Sequence, residues 1–80
     1  IKLKSLRDEG KIRGLMVHPE FNLSVNGIDI CKYEADFTYS KNGDYIVEDV
    51  KSAVTRKLPV YRLKKKLMFA CFNIDIMEIA

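Results

Sequence analysis

Hydrophobic and polar residues alternate along much of this 80-residue chain, which is the pattern of β-strands. Alternation predicts a short strand or extended segment at residues 11–18 and further strands at residues 21–25, 30–39, 45–51 and 74–79. Asn26-Gly27 is a strong turn signal, and residues 41–44 are expected to turn as well. The strands before residue 52 are therefore predicted to form a meander.

Two segments have helical periodicity instead. Residues 1–9 place Leu3 and Leu6 on one face and are expected to end as a helix at Gly10. After a predicted polar loop at residues 52–58, Pro59 fits the first turn of a second helix. Its apolar residues recur at steps of three and four and are predicted to pack inward: Val60, Leu63, Leu67, Ala70 and Cys71. The predicted fold class is α/β (α+β), a mixed sheet flanked by helices.

Candidate chemistry lies on two of the predicted strands. Asp49 and Lys51 are two residues apart on one strand, so their side chains share a face roughly 6 to 7 Å apart. On the strand at residues 30–39, Asp36 is expected on the polar face and Tyr33 on the opposite, apolar face. If the strands pair through the turn at residues 41–44, the two carboxylates converge and supply the oxygen ligands that Mg²⁺ requires. This is the layout of a metal-dependent nuclease site.

Each residue of this pattern has a predicted role. Asp36 and Asp49 are predicted to bind Mg²⁺ or Mn²⁺, and the backbone carbonyl of Val50 is a candidate for a further ligand. Lys51 is predicted to orient or help deprotonate a water and to stabilise developing charge on phosphate. The alternative for Lys51 is an ordinary ion pair with Asp49.

Four other residues have less specific interpretations. Glu48 is expected on the face opposite Asp49, as an ion-pair partner of the helix lysines. His18, the only histidine, is expected to have a structural or substrate-contacting role because it precedes a proline. Cys31 and Cys71 lack the spacing of a zinc site and are expected to be reduced, buried thiols.

Charge is unevenly divided along the chain. Residues 1–50 contain seven Lys and Arg against nine Asp and Glu, a net charge of −2, whereas residues 51–80 contain seven against two, a net charge of +5. Five side chains in the basic part are candidates for binding DNA phosphates: Arg56, Lys57, Arg62, Lys64 and Lys65. The alternative is a solvated helix face. Lys64, Lys65 and Lys66 cannot all lie on one face, because successive helical residues are about 100° apart.

The order of acid, hairpin and Asp-x-Lys resembles the PD-(D/E)xK nuclease superfamily, with Asp36 as the first-motif acid and Asp49-Val50-Lys51 as the second motif. The chain is also similar, over nearly its whole length, to a family of small phage-encoded endonucleases that resemble phage Holliday-junction resolvases. This similarity rests on five segments: Gly10-Lys11-Ile12, His18-Pro19-Glu20-Phe21, Ala35-Asp36-Phe37, Val47-Glu48-Asp49-Val50-Lys51 and Arg62-Leu63-Lys64-Lys65-Lys66-Leu67-Met68.

The resemblance implies a restriction-endonuclease-like αβββαβ core that cleaves DNA, with branched DNA as the substrate. It makes Lys64 the helix lysine expected nearest the site, and it implies a metal-binding glutamate upstream of this chain, for which Glu9 is a poor substitute. Two alternatives stay open. One is a DNA-binding domain that keeps the nuclease fold without catalysis, and the other is a mismatch or restriction-type nuclease on the same core.

The length of the chain and the absence of a long apolar segment lead to further expectations. Eighty residues form one domain, at a size where a single core gives marginal stability. The first residues already have a helical pattern without an initial Met, so a helical segment is expected upstream. With no signal peptide and no membrane-spanning run, we expect a phage or prophage protein in the bacterial cytoplasm.

A junction has two strands to cut, so a homodimer is expected. The apolar surface at Phe21, Leu23 and Val25, or that of the last strand, is expected to be only partly covered within one chain.

Overall fold

The structure, a computed structural model, describes residues 9–80 as a small mixed α+β domain. The elements in chain order are β1 Arg13–Val17, β2 Glu20–Val25, β3 Ile28–Glu34, β4 Phe37–Lys41, β5 Asp44–Val50, α1 Ala53–Arg56, α2 Pro59–Phe72 and β6 Met77–Ile79. Apart from Glu9, which is in a turn, the helix predicted at residues 1–9 lies outside the described residues. No described helix is long and apolar enough to cross a membrane.

The strands form two separate sheets. One has four strands in the order β1-β4-β5-β6, and the other is the β2–β3 hairpin. β1, β4 and β5 are antiparallel neighbours, whereas β6 is parallel to β5, so the larger sheet is mixed. The predicted single meander is therefore wrong. β1 pairs with β4, and the chain between them forms a hairpin of its own.

The strand predicted at residues 30–39 is divided by a bend between Glu34 and Phe37. At the bend, the backbone N–H of Ala35 donates to the carbonyl of Pro19 at 3.1 Å, and that of His18 donates to the carbonyl of Asp36 at 2.9 Å. These hydrogen bonds satisfy backbone groups that would bond to a neighbouring strand if β3 and β4 were one continuous strand. Apolar and polar residues alternate in both β3 and β4, and the alternation is not interrupted in the sequence between them. The sequence pattern therefore does not reveal the bend.

The β4–β5 hairpin agrees with its prediction. Lys41 is paired with Asp44, and the two residues between them both have positive φ, 52° for Asn42 and 84° for Gly43. Asn-Gly is the preferred pair for this two-residue turn, because these residues tolerate positive φ best. The turn fixes the register of the whole hairpin, including its far end, where the candidate site lies.

α2 and both sheets enclose the main hydrophobic core. Its buried residues are Leu23, Tyr33, Ala35, Val47, Tyr61, Met68 and Ile76. A second, smaller cluster centres on Ile12 and Tyr39. Because Leu23 is fully buried, the exposed apolar surface expected along β2 is reduced mainly to Val25, which is 41% exposed.

α2 begins at Pro59 as predicted and ends at Phe72, followed by the C-cap residue Asn73, which has a left-handed φ of 56°. Its buried residues are Tyr61 and Met68, whereas Val60 and Leu63 are 66% and 53% exposed. Of the residues predicted to pack inward, Leu67 and Cys71 pack against the core, whereas Val60, Leu63 and Ala70 are exposed, so the prediction is only partly confirmed. The helix carries two neighbouring apolar stripes, and periodicity alone does not decide which one meets the sheet.

The segment before α2 also differs from its prediction as a loop. It contains the one-turn helix α1, which is capped by Ser52, whose hydroxyl accepts a hydrogen bond from the N–H of Thr55 at 3.1 Å. A serine side chain at this position satisfies a backbone donor that has no partner in the first turn. α1 fixes Arg56 close to the start of α2.

Candidate active site

Asp36 and Asp49 are neighbours at the end of the β4–β5 hairpin. Asp36 immediately precedes the first residue of β4, which is paired with Glu48 of β5. Asp49 is the next residue along β5. Oδ2 of Asp36 accepts a hydrogen bond from the backbone N–H of Val50 at 2.8 Å. The predicted convergence of the two acids is confirmed.

Asp49 is a buried carboxylate, only 1% exposed. Its Oδ2 accepts a hydrogen bond from the Tyr33 hydroxyl at 2.5 Å and lies 3.1 Å from Nζ of Lys51. A buried charge is unfavourable unless it is paired and hydrogen-bonded. Both contacts reach the same oxygen, so Oδ1 is the oxygen that an added cation or water would meet.

The surroundings of the two acids shift their pKa values in opposite directions. Burial raises the pKa of Asp49, and the adjacent Asp36 adds to the rise, while Tyr33 and Lys51 act against it. Burial also acts to raise the pKa of Asp36, but the N–H of Val50, Asp49 and Lys51 outweigh it, so this pKa is lowered. Coupled carboxylates with opposed shifts are typical of functional sites.

Lys51 is positioned by three neighbours. Its backbone N–H donates to the carbonyl of Ile79 at 2.8 Å, and its Nζ pairs with Asp49. Nζ also lies 5.0 Å from the centroid of the Tyr61 ring, a cation–π contact. The ion pair that was the alternative interpretation of Lys51 is therefore present. It is compatible with a catalytic role, because the residue lines an open groove beside the acids.

Tyr33 is buried in the main core, as its predicted place on the apolar face requires, but it is also a site residue, which the sequence pattern did not indicate. Because the chain bends between β3 and β4, Tyr33 and Asp36 do not lie on opposite faces of one continuous strand. The Tyr33 hydroxyl instead reaches Asp49, and burial together with this hydrogen bond raises the pKa of Tyr33. The tyrosine is therefore a neutral hydrogen-bond donor that fixes one oxygen of Asp49.

Tyr61 and Glu78 extend the site toward β6. The Tyr61 hydroxyl donates to Oε2 of Glu78 at 2.7 Å, and Nζ of Lys65 lies 3.1 Å from Oε1 of the same carboxylate. Glu78 is paired with Asp49 across the β5–β6 ladder. The only signal for Tyr61 in the sequence is that a buried tyrosine needs a partner for its hydroxyl. That signal does not identify which partner.

The predicted DNA-binding residues lie around two grooves instead of one surface. The site groove lies between Lys51 and Lys64. The basic groove is lined by Arg56, Arg62 and Lys65, together with Lys66. Lys57 is exposed immediately after α1. Lys64 is thus the helix lysine that shares a groove with Lys51.

The remaining candidates have structural contacts. His18 is exposed, with Nδ1 3.4 Å from Oε1 of Glu34. Glu48 accepts a hydrogen bond from the Tyr39 hydroxyl at 2.6 Å, and among the described residues Glu78, not Glu48, is the partner of a helix lysine. Cys31 and Cys71 are free thiols, as predicted, but they are half-buried and not buried.

The site supplies few metal ligands from side chains. Within residues 9–80, no three His, Cys, Asp or Glu side chains are grouped so that they could hold an ion. The donors shown at the site are the carboxylates of Asp36 and Asp49, and Val50, whose carbonyl is the third predicted ligand, contacts Asp36 through its backbone N–H. An all-oxygen set with few protein ligands suits Mg²⁺, which usually keeps several waters and is bound by one or two carboxylates plus substrate phosphate. The residues therefore fit this ion.

Comparison of the chain with protein-family models, with curated proteins and with solved structures finds no match.

Proposed function

We propose that this domain is a Mg²⁺-dependent endodeoxyribonuclease with a restriction-endonuclease-like core. The observation that carries the proposal is the convergence of Asp36, buried Asp49 and Lys51 at the end of one hairpin, beside a groove lined by Lys64. Carboxylates next to a fixed ammonium group suit hydrolysis of a phosphodiester, whose transition state gains negative charge. Branched DNA as the substrate is part of the proposal and follows the family resemblance.

The chain's residues have distinct roles in this proposal. Asp36, Asp49 and the Val50 carbonyl would hold the ion, which when bound would neutralise the scissile phosphate and lower the pKa of a water. Tyr33 fixes the orientation of Asp49, as outer hydrogen-bond partners of metal ligands commonly do. Lys51, aligned by Asp49 and the Tyr61 ring, orients the water and stabilises charge on the phosphate.

The proposal is tested by cleavage assays of the full-length protein on linear duplex, single-stranded and four-way-junction DNA. We expect cleavage with Mg²⁺ or Mn²⁺, none with EDTA, and inhibition by Ca²⁺, because the larger ion has looser and more variable coordination. Cleavage that persists in EDTA would contradict a metal-dependent mechanism.

A second candidate function is DNA binding without catalysis. It is favoured by the small number of acidic side chains at the site, since the described residues offer only two carboxylates there. Under this alternative, the protein binds junction or duplex DNA but cuts none of the substrates with any divalent ion. The same assays, run beside a binding titration, therefore separate the two functions.

The basic side chains give a prediction about salt dependence. Arg56→Ala, Lys57→Ala and Lys64→Ala should each weaken binding to all DNA sequences and lower the log–log salt slope by about one, because each contact releases a counterion. Anisotropy titrations over several salt concentrations provide the measurement. Lys41→Ala, in the β4–β5 turn, is the matched control. An unchanged salt slope in a variant that combines the three substitutions would place the DNA-binding surface elsewhere.

We also propose that the protein acts as a two-fold dimer, because residues 9–80 contain one candidate site and a junction has two strands to cut. Support comes from β6, which is at an edge of the sheet and has Met77 44% exposed, and from Val60 and Leu63 on the outer side of α2. We expect sedimentation equilibrium of the full-length protein to give a dimer with junction DNA. A monomer that still makes paired cuts would contradict this.

A further inference from the structure

The basic groove combines charge with an exposed aromatic ring. It has a volume of about 480 Å³ and lies along α2, where Arg62, Lys65 and Lys66 line it together with Phe69. Arg56 closes it from α1, and Asp75 and Glu78 contribute the only two acidic groups of its lining. The formal charge of the lining is therefore positive. The groove is distinct from the site groove that contains Lys51.

The cations of this groove are only partly compensated. Lys65 is paired with Glu78, which also accepts the Tyr61 hydroxyl. Arg56, Arg62 and Lys66 form no ion pair with another described residue, and Nε of Arg56 is buried without a hydrogen-bond partner among them. The charge of Arg56 helps to lower the pKa of Glu78, but neither Arg56 nor Arg62 is held in an ion pair with a described residue. Guanidinium groups of this kind at a concave surface favour an anionic ligand, and phosphate matches their planar, forked geometry.

Phe69 gives the ligand a second property. It is 54% exposed and is three to four residues from Lys65 and Lys66, so these side chains are neighbours on the helix surface. An exposed phenylalanine does not by itself indicate a binding site when polar and apolar residues are mixed around it. Here it lies among cations in a concave surface, the combination with which proteins bind single-stranded nucleic acid, stacking a base on the ring and contacting the backbone with Lys and Arg.

The basic groove is also one strand away from the candidate active site. Glu78 is paired with Asp49 across β5 and β6, and neighbouring strands lie about 4.8 Å apart. A DNA strand whose phosphate lies at Asp49 therefore has its adjacent nucleotides within reach of the groove. A base inside a duplex is already stacked and paired, so only an unpaired nucleotide can place its base on Phe69.

We propose that the basic groove binds an unpaired nucleotide next to the scissile phosphate, with its base on Phe69 and its phosphate at Arg56 and Arg62. The protein then prefers DNA that has a single-stranded arm at the cleavage point. This proposal rests on the proposed function for the position of the cut, but the binding preference does not depend on catalysis.

The test is equilibrium binding by the full-length protein in EDTA, with a fluorescent blunt duplex and the same duplex carrying a single-stranded arm. Wild-type protein is expected to bind the armed duplex more tightly. Phe69→Ala should weaken binding to the armed duplex by about 5- to 150-fold, the range for loss of one base–aromatic stack, with little effect on the blunt duplex. Phe69→Trp should retain the preference, and a 2-aminopurine in the arm should be quenched only by proteins with an aromatic residue at this position.

Tyr45→Ala is the matched control, because Tyr45 is an aromatic residue of similar exposure, 53%, near the β4–β5 turn and away from both grooves. Equal weakening on both DNAs, or unchanged binding by Phe69→Ala, would overturn the proposal. So would a change from dimer to monomer in Phe69→Ala with the arm preference intact, since the ring would then be a contact between copies. If wild-type protein prefers the armed duplex but cleaves no DNA, the nuclease function is rejected. The proposal that the basic groove binds an unpaired nucleotide would then still stand.

Discussion

Asp49→Asn is expected to abolish DNA cleavage while leaving the domain folded. The substitution removes a charged ligand, and even the loss of an outer hydrogen-bond partner of a metal ligand costs about 10- to 100-fold in activity or affinity. Cleavage should therefore fall by more than about 100-fold. The measurement is the single-turnover rate with Mg²⁺ and saturating protein.

The fold should tolerate this change because asparagine has the shape of aspartate and its carbonyl oxygen still accepts the hydrogen bond from Tyr33. The side chain is 1% exposed, and a neutral group is easier to bury than a carboxylate. We expect the Tm to stay within about 5 °C of wild type, which corresponds to roughly 1 kcal/mol for a domain of this size.

Asp44→Asn, in the exposed β4–β5 turn, is the control and should cut normally. Undiminished cleavage by Asp49→Asn would show that this carboxylate is not part of the reaction. Loss of cleavage together with a cooperative unfolding transition far below that of wild type would mean that Asp49 acts on the fold instead.

The second large effect is expected for Lys51→Ala, which should slow cleavage by about 100- to 1,000-fold, the loss typical of removing one stabilising donor at a reacting centre. DNA binding should weaken far less, because Lys64 and the basic groove remain. A binding titration and single-turnover kinetics on the same substrate separate the two effects. Equal losses in both would make Lys51 a binding residue only.

Tyr61→Phe is the matched control for Lys51, since it keeps the ring under the ammonium group and removes only the hydroxyl that contacts Glu78. Its cleavage rate should remain close to wild type. Tyr61→Leu removes the cation–π contact and is expected to be slower than Tyr61→Phe. If both variants cleave at the same rate, the ring does not position Lys51.

The central hairpin could be predicted because its information is local. Alternation fixed the faces of β4 and β5, and Asn42-Gly43 fixed the turn and therefore the register that brings Asp36 to Asp49. These are short-range steric preferences, and they act within a few residues. Asp49 and Lys51 accordingly share a face, as alternation predicted, although alternation did not predict that Asp49 is buried there.

The arrangement around this hairpin depends on contacts between distant parts of the chain. Periodicity does not reveal that β1 pairs with β4 while β2 and β3 separate, since either partner satisfies the same alternating pattern. It also does not reveal which apolar stripe of α2 is buried. Tyr61 is inward because its hydroxyl meets Glu78, a residue 17 positions away.

Asp36 faces the site and also connects two other parts of the chain through hydrogen bonds. Its carbonyl accepts the N–H of His18 at the bend where the hairpin sheet leaves the main sheet, and its side chain accepts the N–H of Val50. Truncating this side chain to alanine would keep the backbone bond to His18 but leave the N–H of Val50 without its acceptor, so a chemical defect would be combined with the loss of a contact between the bend and β5. For trapping an uncut DNA complex in crystals, Asp49→Asn is the better inactive form, because it leaves this contact between Asp36 and Val50 intact.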